Sequence, residues 1–504
     1  MPAPAVTYRE SAAIALVRGA GSALEVFWVR RSDVVSYMPG FDALVGGKVA
    51  AEDLDLEVAG CAEEADRVLR ACAIREAFEE TGVLAGLAAG PNPDRARAAA
   101  ARMRLLAGEA RFDALARELG WRFDGTALRA AGRWQTPPFA SQRFDTQFFM
   151  ARLPEGQEAT VHVGELASGE WVKPADALER WREGRVTFAA PILWVLKVLE
   201  QGARLGATDA QMADELTRAP ASSALPVRRI ELKWGIVLQP MKTRPLPPAT
   251  HTNAYLVGDG EMALIDPGSD EKQELAELFA LIEALEREGR KLAIVLLTHE
   301  HPDHIGGVAE VCKRWRVKVA AHELTARQIA ADIKLADGDW VRLAGPGDWS
   351  LRALHTPGHA RGHLCFLHPR TQSLFTGDHI PGGTGTVIID PPGGDMADYV
   401  SSLKRLAGED VRTLFPGHGS PQGGALRRIH GLIDHRMERE KKVLAALSAE
   451  PARLADLVPR AYADTPRELW PYAERSLLAH LIKLEREGRA KKSRLRQDEL
   501  WASA

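Results

Sequence analysis

Residues 296–307 read LLTHEHPDHIGG. Three histidines and an aspartate crowd into positions 299–304, directly after an apolar run with the composition of a strand. Alternate side chains of an extended segment point the same way, so His299 and His301 can share one metal ion. Asp303 and His304 follow where the chain turns into the helix-like GGVAEVCKRW, and they address a neighbouring ion. Four donors are too few for two ions. The rest stand at the ends of later strand-like runs: His359 in HTPGH, Asp378 in FTGD and His418 in FPGHG. Glycines beside each let the loop backbone approach closely.

These seven candidates divide into His299, His301 and His359 for one ion and Asp303, His304 and His418 for the other, with Asp378 placed to bridge. Imidazole and carboxylate without thiolate favour zinc, with iron or manganese next. Two ions so close supply an activated water at neutral pH, the requirement of a metal-assisted hydrolysis. Asp303 therefore counts as catalytic as well as a ligand.

The bulk properties frame this site. A chain of 504 residues is too long for one ordinary core, so two or three domains are expected. Composition is globular, with 45% hydrophobic and 26% charged residues. No apolar run approaches the roughly 20 residues of a membrane helix. The opening MPAPAVTYRESAAIALV lacks the basic-then-apolar pattern of a leader, so a cytoplasmic protein without membrane contact is expected. Four scattered cysteines (Cys61, Cys72, Cys312, Cys365) form no C-x-x-C pair and fit reduced thiols. Of 15 histidines, 11 lie between residues 229 and 425, and only His162 precedes them. Net charge is −3, but residues 426–504 hold 17 basic and 12 acidic side chains, or +5, which leaves −8 for residues 1–425.

The expected fold class is α/β and α+β in several domains. Residues 1–205 alternate strand-like and helix-like runs, and 206–228, rich in small, polar and proline residues, reads as a linker. A second α/β block spans 229–425. Residues 426–504 read as a mostly helical tail of three helices, the last leading into a basic turn.

TNAYLVGDGEMALIDPG, THEHPDHIGG, HTPGHARGH, LFTGDH and LFPGHG, in that order, make residues 229–425 resemble a metallo-β-lactamase-fold hydrolase. The resemblance implies an αββα sandwich with two zinc ions at one edge of its sheets. It leaves the substrate open, because that fold serves thioesters, lactams, lactones and phosphodiesters. His363 and His379 fall in the same loops and read either as residues supporting the ligands or facing substrate, or as structural ones.

The first domain carries its acidic cluster on a helix. In REAFEETGV, Glu76, Glu79 and Glu80 share one face, and three like charges on one stripe suit a hard cation such as Mg²⁺ or Mn²⁺. Arg75 can orient one of these carboxylates and joins His363 and His379 as a substrate-binding candidate. Upstream, PGFDALVGGKVAAED supplies Gly46 and, after a gap of five, Glu52. This resembles the Nudix box, in a subgroup similar to acyl-CoA diphosphatases, with 22 residues between Glu52 and Arg75 where the box has seven. YMPG (37–40) and RFDTQFF (143–149) match that subgroup too. The resemblance implies an α/β/α sandwich, with Glu79 and Glu80 catalytic as well as metal-binding. The tail resembles the winged helix of lactamase-like endoribonucleases.

Two functions compete. One is a bifunctional hydrolase of small CoA-type, nucleotide or thioester substrates, with two zinc ions in one domain and Mg²⁺ or Mn²⁺ in the other. The alternative is an endoribonuclease that holds single-stranded RNA on its basic tail, with the Nudix half a ligand-sensing module. The −8 outside the tail argues against extended RNA contact, which needs several lysine or arginine pairs to phosphate.

Overall fold

The strand Arg9–Arg18 is buried without interruption from Ser11 to Val17. A strand shows that pattern when both faces of its sheet are covered. Ala12, Ile14 and Leu16 enter one core with Ile74 and Phe78 of the helix Glu64–Thr81. Ala13, Ala15 and Val17 enter another with Trp181 and Leu196 of the helices Pro174–Arg182 and Ala190–Leu205. The strand lies parallel to Phe144–Arg152 and antiparallel to Glu25–Arg31 and Val45–Lys48, inside a seven-stranded sheet. The expected α/β/α sandwich is present.

This is a computed structural model, and it describes residues 8–89, 93–137, 140, 142–218, 229–246, 249–383, 385–495 and 498–504. The chain divides into two units, Met1–Trp234 and Gly235–Ala504. In the first unit, the residues that lengthen the gap between Glu52 and Arg75 form the end of a short helix, Ala51–Asp55, a strand, Val58–Ala59, and the opening turns of Glu64–Thr81. Val58–Ala59 pairs with Phe123–Asp124.

The expected linker, 206–228, begins with a packed helix, Asp209–Thr217, and its residues 219–228 lie outside the described residues. Thr208 and Gln211 cap that helix reciprocally, and Met212, Ala213 and Leu216 are buried beneath it. Arg152 grips Asp209 through two bonds of 2.6 and 2.7 Å. The strand Ile230–Lys233 stands at the end of the first unit. The Leu232 carbonyl accepts from the Phe188 amide at 3.1 Å and the Trp181 indole at 3.2 Å.

In the second unit the strands Ile236–Lys242, His251–Val257, Glu261–Ile265, Lys291–Leu296, Lys318–His322 and Ile333–Leu335 lie side by side in that order. A second sheet runs Trp340–Val341, Leu351–His355, Leu364–His368, Ser373–Gly377, Thr413–Pro416. Tyr255 of the first sheet meets Phe375 and Phe415 of the second edge-on, at 5.2 and 5.6 Å, and so fills the space between them. On the outer face of the second sheet, Leu354, Cys365, Leu367, Leu374 and Leu414 pack under Tyr399, Leu403 and Leu406 of the helix Met396–Leu406. Helices Lys272–Arg287 and Val308–Trp315 cover the first sheet. The four layers are those the resemblance implied.

The tail contains the expected helices, Ala425–Ala446, Leu454–Ala461 and Trp470–Arg486. It also contains a hairpin, Ala490–Leu495 with Asp498–Ser503, where a basic turn was expected. Trp501 is buried and Lys492 lies over its ring at 5.6 Å. Among the described residues no helix is long and apolar enough to cross a membrane.

A fragment 1–205 lacks the helix Asp209–Thr217, and with it the burial of Met212 and Leu216, about 4 kcal/mol for two such side chains. Fragment 1–218 is expected to melt roughly 10 °C above fragment 1–205, because 1 kcal/mol shifts a domain of this size by a few degrees. Equal melting temperatures in a calorimeter would show that the helix adds nothing.

Candidate metal centre

Every candidate ligand of the second unit stands where a strand gives way to a loop. Lys291–Leu296 delivers His299 and His301, and the short helix Pro302–Ile305, opened by its proline, presents Asp303 and His304. His359 follows Leu351–His355, Asp378 follows Ser373–Gly377, and His418 follows Thr413–Pro416. Gly417 is required by closeness: a Cβ there would lie 2.7 Å from His304 Cε1 and 2.9 Å from Asp378 Oδ1.

The structure brings these residues together in two groups. One holds His299, His301, His359 and Asp378 and the other Asp303, His304 and His418, each with one donor atom per residue within 4.8 Å of the rest. His299 Nε2 and His359 Nε2 lie 2.9 and 3.1 Å from His301 Nδ1, and His304 Nε2 lies 3.4 Å from His418 Nε2. Asp378 joins the groups: Oδ1 is 3.3 Å from both His304 Nε2 and His418 Nε2, while Oδ2 is 3.6 Å from His359 Nε2. Despite those distances Asp378 Oδ1 is buried without a hydrogen bond. Donors around a tetrahedral zinc, each about 2.0–2.1 Å away, stand about 3.3 Å apart. The spacing is that of a coordination shell.

The outer nitrogens fix which way the inner ones point. Thr298 Oγ1 donates to Asp266 Oδ2 at 2.6 Å, so at 2.9 Å it accepts from His299 Nδ1. His304 Nδ1 donates to Asp266 Oδ2 at 2.8 Å. His359 Nδ1 donates to the Ile388 carbonyl at 3.0 Å and His418 Nδ1 to the His251 carbonyl at 2.8 Å. With Nδ1 engaged outward, each ring aims its Nε2 inward and can offer that lone pair to an ion, as metal ligation requires.

The charge balance agrees. Burial holds His299 well below the usual histidine range and takes His359 down to about 4. Burial also opposes a charge on His418, but Asp378, with Asp303, pushes it up to about 10, and Asp378 with Asp266 carries His304 well above its usual value. Around Asp378 the site draws in positive charge. A divalent cation would supply it, and these residues fit one.

Two residues were not singled out in the sequence. Asp266, at the end of ALIDPG, is buried and accepts from Thr298 N, Thr298 Oγ1 and His304 Nδ1. Asn253, in TNAYLVG, donates to the Pro416 and Gly419 carbonyls at 2.9 and 2.7 Å and so ties the His418 loop to the first sheet. A polar residue flanking an apolar run, AYLV or MALI, was the available signal for both. His363 and His379 are fully buried, with ring centroids 5.5 Å apart and His363 5.2 Å from His299, so they lie beneath the cluster. His363 Nδ1 meets Thr356 Oγ1 at 2.9 Å, whereas neither nitrogen of His379 has a partner among the described residues.

In the first unit Arg75 is the hub. Its Nη1 donates to Glu76 at 2.8 Å and Glu79 at 2.9 Å, and its Nε and Nη2 grip Asp53 at 2.7 and 3.0 Å. Glu52 stands 3.9 Å from Arg75 Nε and accepts instead from the Phe112 amide at 2.5 Å. Glu80 accepts from the Gly46 amide at 2.9 Å. Burial raises Glu76 to about 7 against the pull of Arg75, and burial with the Glu76 charge raises Glu80 well above the carboxylate range. Glu76, Glu79 and Glu80 do not present oxygens to one shared point among the described residues. Strained carboxyls of this kind mark a place short of positive charge.

Residues 247–418 match the family model of the metallo-beta-lactamase superfamily, residues 56–199 that of the NUDT19 Nudix domain, and residues 454–501 that of the beta-lactamase associated winged helix domain. The Beta-lactamase-like protein 2 homolog of Drosophila melanogaster is 32% identical over 267 residues, 50% of this chain and 87% of that protein. The Atrochrysone carboxyl ACP thioesterase of Claviceps purpurea is 31% identical over 258 residues, 48% of this chain and 79% of that protein. The crystal structure of a NUDIX hydrolase from Alicyclobacillus acidocaldarius shares 28% identity, covers 42% of this chain and 97% of its own, and has a TM-score of 0.37.

Replacing Asp266 with asparagine removes the acceptor that fixes both Thr298 and His304. Metal affinity measured with a competing chelator is expected to fall about 10- to 100-fold, the usual cost of losing a partner behind a ligand. An Asp266→Asn protein that binds metal like wild type would remove this role.

Proposed function

The chain belongs to the metallo-beta-lactamase superfamily, fused to a Nudix domain and a winged helix, and is a hydrolase; from that premise we propose that it is bifunctional. The second unit hydrolyses a thioester or related acyl bond with two zinc ions. The first cleaves a nucleoside diphosphate linked to a further group, of the CoA type, with Mg²⁺ or Mn²⁺. Both act in the cytoplasm on small molecules.

The observation that carries the first half is Asp378, whose two oxygens face the two ligand groups at once. When bound, the ions supply Lewis acidity and an activated water. His299, His301 and His359 hold one, and Asp303, His304 and His418 the other. Asp303 is the more open of the carboxylates, 20% exposed against 13% for Asp378, and so is placed to take up the proton that hydrolysis releases. A thioester is favoured because a thioesterase on an acyl carrier protein stands among the relatives.

For the first unit, the raised carboxyls of Glu76 and Glu80 support a hard cation beside this helix face; Glu76, Glu79 and Glu80 would hold it by turning from their present partners, Arg75 and the Gly46 amide. Arg75 and Asp53 keep the glutamate face in register. Glu79 and Glu80 are the residues to position and deprotonate the attacking water.

One observation favours a second reading. The hairpin strand Ala490–Leu495 exposes Lys491, Lys492 and Arg494 to solvent, a surface for phosphate. In that reading the second unit cuts single-stranded RNA and the Nudix half senses a ligand.

A panel of acyl-CoAs, S-acylglutathione and labelled single-stranded RNA, assayed with zinc, separates the two. Elemental analysis is expected to find about two zinc-class ions per chain in the second unit. Asp378→Ala is expected to lower that count and abolish acyl hydrolysis; full activity in that variant would end the bridging role.

A parallel assay uses CoA and other nucleoside diphosphate compounds with Mg²⁺ or Mn²⁺. Glu79→Gln and Glu80→Gln are each expected to cost ~10²-fold or more. No turnover by the wild type would favour the sensing module.

A further inference from the structure

Four of the ligand histidines are oriented through their second ring nitrogen, and three of the partners stand in a strand or within two residues of one. Thr298 lies two residues past Lys291–Leu296, Asp266 directly follows Glu261–Ile265, and His251 opens His251–Val257. His359 is the exception. Its Nδ1 donates to the carbonyl of Ile388, in a segment, 380–395, whose described residues form neither helix nor strand. A carbonyl in irregular backbone has no ladder to hold it, so something else must fix where it points.

The grip comes from beyond the metal-bearing loops. Arg436, on the long helix Ala425–Ala446, is 3% exposed and donates through Nη2 to the carbonyl of Val387, the residue before Ile388. Its guanidinium lies 5.1 Å from the centre of the Tyr399 ring, and the Tyr399 hydroxyl donates at 3.1 Å to the carbonyl of His379. On the other side of Ile388, Ile389 is fully buried in a core that includes Tyr399 and Ala479. Arg428, from the same helix, donates to the carbonyls of Pro381 and Gly385. Arg475 reaches Asp390 at 2.9 Å, but both side chains are about half exposed and that pair contributes little.

We infer that Arg436 is a positioning residue for the metal ligand His359, acting through the Val387–Ile388 peptide, and that the helix Ala425–Ala446 is thereby part of the metal centre. Loss of its donors frees the Ile388 carbonyl to turn, and His359 then loses the contact that aims its Nε2. The effect falls on the ion held by His299, His301 and His359, since the partners of His304 and His418 lie elsewhere. This inference rests on the two-ion reading of the site.

The test uses the full chain and cadmium alone, followed by cadmium NMR and chelator competition, with the two resonances assigned by His359→Ala and His418→Ala. Arg436→Met keeps the apolar stem and removes the donors. It is expected to weaken the ion of the three-histidine group about tenfold and to leave the other unchanged. Arg436→Lys, which keeps a charge and a donor, is expected to recover most of that affinity. Arg439→Ala is the control: it breaks the ion pair of Arg439 with Asp464 on the same helix face, so it should lower the melting temperature and leave both affinities intact. Unchanged binding in Arg436→Met, equal weakening of both ions, or the same loss in Arg439→Ala would each overturn the inference. A wild-type chain that takes up no cadmium would overturn the two-ion reading and this inference with it.

Discussion

One buried carboxylate governs the second unit. Asp266 takes the Thr298 amide and hydroxyl on one side and the His304 ring on the other, and through Thr298 it also sets the proton on His299. Histidines of both ligand groups therefore answer to a single residue that touches no metal. Its cost of burial is met because three donors converge on two oxygens. Remove that arrangement and the inward lone pairs are no longer guaranteed, whatever the backbone does.

From that point the architecture is a matter of delivery. Two sheets pressed together by Tyr255, Phe375 and Phe415 leave strand ends side by side, and each end carries one or two ligands into a common space. Glycine at 417 lets the loops close to within a few ångströms of one another. The first unit solves a different problem with similar economy. Arg75 gathers Asp53, Glu76 and Glu79 around one guanidinium, so the helix face can hold acidic groups that would otherwise repel.

The residues of the candidate metal centre could be picked out in the sequence, because imidazoles and a carboxylate packed so tightly after a strand are costly to desolvate unless they share an ion, and the structure brings them together. The αββα and α/β/α layers came from the resemblance of the motifs to two families; apolar runs and turn signals by themselves marked only mixed α/β blocks. What escaped notice were residues whose importance lies in partners distant along the chain. Asp266 meets His304 across 38 residues, and Asn253 meets Pro416 across 163. Asp53, not Glu52, is the carboxylate of the short helix that grips Arg75, and motif spacing alone could not show that. The helix Asp209–Thr217 hid in a composition of small and polar residues, although Thr208 and Gln211 carry a capping signal. The hairpin of the tail hid beneath its lysines and arginines, whose long side chains mask the alternation that buries Trp501.

The clasp between Asn253, Tyr255 and the backbone from Pro416 to Gly419 bears on how the molecule comes into being. Asn253 and Tyr255 donate to carbonyls more than 160 positions later, and His418 stands inside the segment they hold. Closing so long a loop is entropically expensive and comes late in assembly. A nascent chain carries His299, His301, Asp303 and His304 well before His418 has been made. Early on, those four offer an ion only half a cage, open to exchange with the surrounding solution. Secure capture is therefore expected to mark the end of folding rather than its start, and the chain's choice of metal would be made at equilibrium with the compartment where folding finishes.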